Sequence, residues 1–133
     1  MVLVDTSAWS LFYRNDIPPE DPTAGAVEEQ LATGAVLSTG VVYLELLRGF
    51  TQPAGRARIE ADFASIPFIE PSRHDYADAA DLSVACRRAG VQLETVDALI
   101  AQVCIANDLI LLTADADFVH AARHVPLSVW APT

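Results

Sequence analysis

No lysine occurs in this chain of 133 residues: all eight basic side chains are arginines, set against 18 aspartates and glutamates, for a formal charge of −10. The missing lysine excludes a P-loop, whose lysine must reach the nucleotide phosphates, and speaks against a receiver domain, which pairs its acidic site with one. No GxGxxG run is present, so the glycine cradle for a dinucleotide is missing as well. Cysteine is scarce. Cys86 and Cys104 both fall in apolar helical patterns and read as packing residues of a cytosolic protein rather than as a disulfide framework. No apolar run approaches the roughly 20 residues needed to span a bilayer, and the N-terminus lacks a basic segment followed by a long apolar one, which argues against membrane insertion and secretion. The strong acidity also argues against broad electrostatic capture of nucleic acid. A nucleic-acid substrate would have to be held locally, by arginines and metal.

What is present is a regular alternation of short apolar runs and helical patterns, expected to form one domain over residues 1–133. Residues 1–4 are apolar at both parities, as in a central parallel strand covered on both faces, and stop at Asp5. Thr6 or Ser7 can cap the following helix, with Ala8, Leu11 and Phe12 facing inward. Residues 14–22 hold three prolines and read as a loop; a helix over 24–32 closes at Gly34. A strand over 36–39 leads to a helix over 41–47, a break at 53–55, and a helix over 56–65 with Ile59 and Phe63 on one face. A third strand is expected at 68–70. Ser72 and Asp75 form a capping box for a helix that Gly90 stops. Thr95 is expected to cap the next helix, where Val96, Leu99, Ile100, Val103 and Cys104 repeat at the spacing of a buried face. A fourth strand over 109–112, a short helix over 118–123 and a last strand over 127–130 complete the chain. The pattern predicts a three-layer α/β/α domain with a central parallel sheet of four to five strands.

Two strands end alike, VLVD at Asp5 and LILLTAD at Asp115, with Asp117 close behind. Side by side in a parallel sheet they would bring their carboxylates to one crevice. Asp97 lies in the first turn of a helix, where the dipole favours a negative charge. Glu45 stands between Leu44 and Leu46 on an apolar helix, where a charge requires a partner or a metal. Carboxylates gathered in this way repel by about 4 kcal/mol per pair at 4 Å and an effective dielectric near 20. A divalent cation is the natural compensation. All-oxygen ligands select Mg²⁺ or Mn²⁺ over zinc, and such a site suits phosphodiester hydrolysis.

The set VDTSAW, YLELLRG, ETVDALIAQ and LLTADADF, in this order and spread over nearly the whole chain, resembles the PIN-domain ribonucleases, especially the VapC-type toxins of bacterial toxin–antitoxin pairs. The resemblance implies that Asp5, Glu45, Asp97 and Asp115 are the catalytic, metal-binding acids. Asp117 is a further metal-binding candidate, with Asp115 favoured as the closer ligand. Thr6 or Ser7 and Thr113 match the hydroxyl positions that support the site. It also implies a cytoplasmic, Mg²⁺- or Mn²⁺-dependent endoribonuclease that leaves 5′-phosphate and 3′-hydroxyl ends. The partners implied are RNA, a second copy of the chain and a VapB-like antitoxin.

Two other readings compete. A catalytically silent PIN-like binding module would keep the fold without the chemistry. A haloacid-dehalogenase-like phosphatase requires a second aspartate two positions after the first and a downstream lysine, but Ser7 stands at that position and lysine is absent. His120 and His124 are read as surface residues of the last helix, and Trp9 and Phe12 as core or interface residues. Arg14 and Arg48 either meet a phosphate at the cleft mouth or are simply solvated.

Overall fold

The computed structural model describes residues 1–14, 16, 18 and 20–131. The strands are β1 (Val2–Val4), β2 (Val36–Leu37), β3 (Ile110–Leu112) and β4 (Ser128–Val129); the helices are α1 (Thr6–Tyr13), α2 (Pro22–Ala32), α3 (Gly40–Gly49), α4 (Pro53–Phe63), α5 (Arg73–Arg88), α6 (Thr95–Ala106) and α7 (Ala116–Ala121). The strands form one parallel sheet in the order β2-β1-β3-β4, with Val2 opposite both Val36 and Ile110, and Val4 opposite Leu112. Val2, Leu3, Val4, Leu111 and Leu112 are all buried, so side chains of both parities are covered, as their unbroken apolar character requires.

The strand order places the functional crevice. From β1 the chain steps to β2 on one side, then crosses over to β3 on the other side of β1 and continues outward to β4. Right-handed crossovers in opposite directions put connecting helices on opposite faces, and the sheet opens a crevice where the direction reverses, between the carboxyl ends of β1 and β3. Asp5 directly follows β1, and Thr113 directly follows β3.

Several local expectations are revised. The strand expected over 68–70 is a single parallel bridge between Ser38 and Phe68, because Pro67 and Pro71 withhold N–H groups on either side of this edge segment. The sheet therefore has four strands. The strand expected over 36–39 ends at Leu37, since Thr39 already caps α3. Asp5, rather than Thr6 or Ser7, caps α1 by accepting from the Ala8 N–H, and the buried face of that helix is Ala8, Trp9 and Tyr13, with Leu11 and Phe12 only partly covered. Trp9 stacks on Tyr13 and lies against Phe63, which explains the inward rotation. Residues 53–55 do not break the chain: Pro53 opens α4, where its missing N–H is no loss. Thr95 is the first residue of α6, after Glu94, whose side chain makes no capping bond. Of the loop expected over 14–22, positions 15, 17 and 19 lie outside the described residues, and the helix that follows begins at Pro22 under an Asp21 cap.

Other expectations hold in detail. Gly34 and Gly90 take φ of +70° and +87°, the left-handed conformation that ends α2 and α5. Ser72 and Asp75 form both bonds of the capping box. Ser72→Ala should cost about 1 kcal/mol in a urea titration, with Asp75→Ala adding less than its own share because the two bonds act together. Both cysteines are free and buried. α6 is buried continuously from 98 to 104 rather than along one stripe, which makes it the central helix. No helix among the described residues is long and apolar enough to cross a membrane.

Candidate active site

Three helices present their first turns at the crevice, each with an aspartate. Asp5 is the N-cap of α1, Asp115 is the N-cap of α7, and Asp97 lies in the first turn of α6. The partial positive charge of these helix ends offsets part of the repulsion among the acids. Glu45 comes from the middle of α3 and is only partly buried; its Oε1 accepts from the Thr6 hydroxyl at 2.9 Å. That bond supplies the partner expected for a charge on this helix. Leu44 beside it is 60% exposed, so the helix turns a solvent-facing side at this point.

Asp5 is the most constrained of the set. It is 4% exposed and accepts three hydrogen bonds: the Ser7 hydroxyl to Oδ1 at 2.7 Å, the Ala8 N–H to Oδ1 at 3.2 Å and the Thr113 hydroxyl to Oδ2 at 3.0 Å. Ser7 and Thr113 extend this network. The Ser7 oxygen accepts from the Ala114 N–H, the Thr113 oxygen accepts from the Asp115 N–H, and the two oxygens lie 3.2 Å apart. Two short hydroxyls thus lock the end of β1 to the end of β3. Among the described residues no basic group pairs with Asp5; the ion pairs there join Arg14 to Asp16 and Arg56 to Glu60, which leaves Arg14 bound at the surface.

The electrostatics follow from this geometry. Burial pushes the Asp5 carboxyl up to about 6 against the pull of its three donors, with the charge of Asp115 adding to the rise. Asp97 is also pushed up to about 6, first by burial and then by the charges of Asp115, Asp5, Glu45 and Glu94. Asp5, Glu45, Asp97 and Asp115 therefore share one field. Asp117 is exposed on α7, and its backbone N–H serves the Asp115 cap at 2.9 Å. His120 and His124 are exposed and lie outside the crevice set. Glu94, to which the sequence reading assigned no role, adds its charge at Asp97; its signal was its place at the head of ETVDALIAQ.

The donor set fits a hard divalent cation. It consists of carboxylates and hydroxyls, and Cys104, the cysteine near Asp5, is a buried thiol pushed up to about 12 by burial. An ionised carboxylate offers about four lone-pair sites, of which Asp5 uses three, so one remains for a ligand. Among the described residues, no three His, Cys, Asp or Glu side chains form a ready-made cage. The acids share a field without being drawn together, as unshielded like charges should be. Thr113→Val keeps the shape but removes the hydroxyl that orients Asp5. It should lower Mn²⁺ affinity about 10- to 100-fold, as read by calorimetric titration, and an unchanged affinity would show that the bond does not hold a ligand in place.

The architecture has solved counterparts. Similar chains include FitAcB of Neisseria gonorrhoeae (TM-score 0.77, 17% identity, 99% of this chain and 98% of that one covered). VapBC2 of Rickettsia felis, described as bound to a DNA fragment from its promoter, gives a TM-score of 0.72 at 18% identity, covering 98% of this chain and 100% of that one. VapC20 of Mycobacterium tuberculosis, described as a toxin that cleaves the sarcin–ricin loop, gives 0.67 at 19% identity, covering 96% and 98%. At such identities the likeness is one of fold. No curated protein is significantly similar in sequence. The PIN domain family model matches residues 2–124, nearly the whole chain and all of the acids in the crevice, and the chain belongs to the PIN domain family.

Proposed function

We propose that this PIN domain is a Mg²⁺- or Mn²⁺-dependent endoribonuclease acting as a toxin that a cognate antitoxin holds inactive. The observation that carries this reading is Asp5: a buried carboxylate with three donors, no basic partner among the described residues, and Asp97, Asp115 and Glu45 around it. Burying such a charge is costly unless a cation completes the site.

Asp5, Asp97 and Asp115 are the residues that would hold the cation, with Asp117 at the rim. A divalent ion held there would supply Lewis-acid chemistry, lowering the pKa of a water and offsetting negative charge on a phosphodiester. Thr6 holds Glu45 toward the crevice, where its free carboxylate oxygen can accept a proton from an attacking water and set its direction. Ser7 and Thr113 fix the carboxylate plane of Asp5, and the α1, α6 and α7 helix ends favour negative charge in the substrate as they do in the acids. These residues suit in-line attack on RNA with release of a 3′-hydroxyl.

The toxin reading draws on the fold neighbours: VapC20 is described as a sarcin–ricin-loop-cleaving toxin, and FitAB and VapBC2 are described as bound to DNA fragments. By that analogy the partners are RNA, a VapB-like antitoxin and a second copy of the chain, in the cytoplasm. To test the reading, partner-free protein is incubated with mixed cellular RNA in Mg²⁺ or Mn²⁺ and again with EDTA. Discrete cuts that require the metal are expected. Folded, metal-loaded protein that cuts no RNA would shift the assignment to a silent binding module.

A further inference from the structure

Next to the acidic crevice lies a second feature, a polar pocket of about 210 Å³ between the last turn of α5 and the loop leading into α6. Ser83, Arg87, Gln92, Leu93, Glu94 and Thr95 line it. It borders the crevice, because Glu94 and Thr95 lie three and two positions before Asp97 and the charge of Glu94 is felt there.

Arg87 is the sole basic side chain in that lining, and it forms no ion pair among the described residues. Arg14 pairs with Asp16, Arg56 with Glu60, and Arg58 lies over the rings of Phe12 and Tyr13, whereas Arg48, Arg73, Arg88 and Arg123 are as unpaired as Arg87 among the described residues but line no part of this pocket. In a chain of charge −10 without lysine, diffuse attraction cannot hold a polyanion, so a cation placed beside the crevice counts for more than it would on a basic surface.

We propose that this pocket is the subsite for a ribonucleotide flanking the cleaved phosphate, with Arg87 on its phosphate, the Glu94 carboxylate accepting from its 2′-hydroxyl and the Gln92 amide donating to that hydroxyl's oxygen; the inference rests on the nuclease reading above. A guanidinium presents paired N–H donors that match phosphate oxygens. Glu94 supplies a carboxylate acceptor and Gln92 an amide donor, and of the groups on a nucleic-acid backbone the 2′-hydroxyl is the one that both donates and accepts. The carboxylate also repels phosphate, which fixes the order along the strand: phosphate toward Arg87, sugar toward Glu94. Gln92 and Glu94 are exposed, so with deoxyribose both would stay bound to water and these two bonds would not form. The subsite therefore favours RNA over DNA through the bonds that the 2′-hydroxyl adds.

Binding is measured by fluorescence anisotropy in the Asp5→Asn background, which keeps the strand uncut, using a short labelled single-stranded RNA and a DNA of the same sequence. The parent should favour RNA. Arg87→Gln should weaken RNA binding roughly tenfold and lower the slope of log affinity against log salt by about 0.7, the loss of one single-strand phosphate contact. Gln92→Ala should narrow the RNA preference and leave DNA binding unchanged. Equal binding of RNA and DNA by the parent overturns the subsite, as does an Arg87→Gln protein with unaltered affinity and salt slope; either result leaves the nuclease reading standing if the wild type cuts RNA. An Arg87→Gln protein that alters self-association in sedimentation without altering RNA binding assigns the pocket to a protein interface and overturns the inference. RNA that is bound by neither protein and uncut by the wild type overturns both the subsite and the proposed function.

Discussion

Asp5→Asn should yield a folded protein whose RNA cleavage is reduced by more than about a hundredfold, a loss beyond that usual for a residue that merely supports a metal ligand. The substitution preserves shape. Ser7 and Thr113 are hydroxyls, able to donate or accept, so they can adapt to an amide, and the Ala8 N–H still finds the Asn oxygen. What disappears is the charge at the centre of the crevice, and with it a proposed ligand for the cation. The metal-free Asn variant should be at least as stable as wild type, because it no longer buries a carboxylate facing Asp97 and Asp115. Circular dichroism and thermal melting beside the cleavage assay separate loss of chemistry from loss of fold. A well-folded Asp5→Asn protein that cleaves at the wild-type rate would remove Asp5 from the site.

The second large effect is on stability. Saturating Mg²⁺ or Mn²⁺, at about a hundred times its dissociation constant, should stabilise the wild type by about 2.7 kcal/mol, a rise in melting temperature on the order of 10 °C for a domain of this size. The effect should depend on pH in a definite direction. Asp5 and Asp97 have folded-state values raised from 3.8 to about 6, so between these limits the folded chain binds more protons than the unfolded chain. Without metal, stability should therefore fall as pH rises from about 4 to about 6 and level off above that. The buried Asp5 alone accounts for about 3 kcal/mol, and the half-exposed Asp97 for less. Metal should restore the loss, and more strongly at pH 7.5 than at pH 5. In Asp97→Asn both the acid-side slope and the metal response should shrink. A metal response that is the same at both pH values would mean that the cation binds elsewhere.

How far the sequence announced this arrangement can be judged residue by residue. β1 and β3 were legible because buried parallel strands are apolar at both parities, and Asp5 and Asp115 were legible as the first acids beyond them. Their convergence required only that the two strands be neighbours, which they are. α6 was legible as a helix, but periodicity suggested one buried stripe, whereas its central position buries 98–104 all round. Caps were less legible. At VDTS and LETV several adjacent residues can cap, and the choice falls to tertiary contacts: Asp5 caps α1 because Thr6 is drawn to Glu45 while Ser7 and Thr113 hold the carboxylate in place. The segment at 68–70 has strand composition, yet flanking prolines on an edge reduce it to one bridge, an outcome set by its neighbour as much as by its own residues. The polar pocket was not legible at all. Ser83 and Arg87 meet Gln92 and Glu94 only because Gly90 turns the chain back after α5.

The chemistry of the cut ends tests the central claim most directly. RNA fragments from wild-type protein in Mg²⁺ or Mn²⁺ are assayed for end groups, beside samples containing EDTA. Attack by a water molecule places a 5′-phosphate on one product and a 3′-hydroxyl on the other, with no fragments in EDTA. Attack by the neighbouring 2′-hydroxyl, which needs no metal, leaves a cyclic phosphate and a 5′-hydroxyl. Fragments of that second kind, undiminished by EDTA, would contradict an acidic, cation-dependent site between β1 and β3.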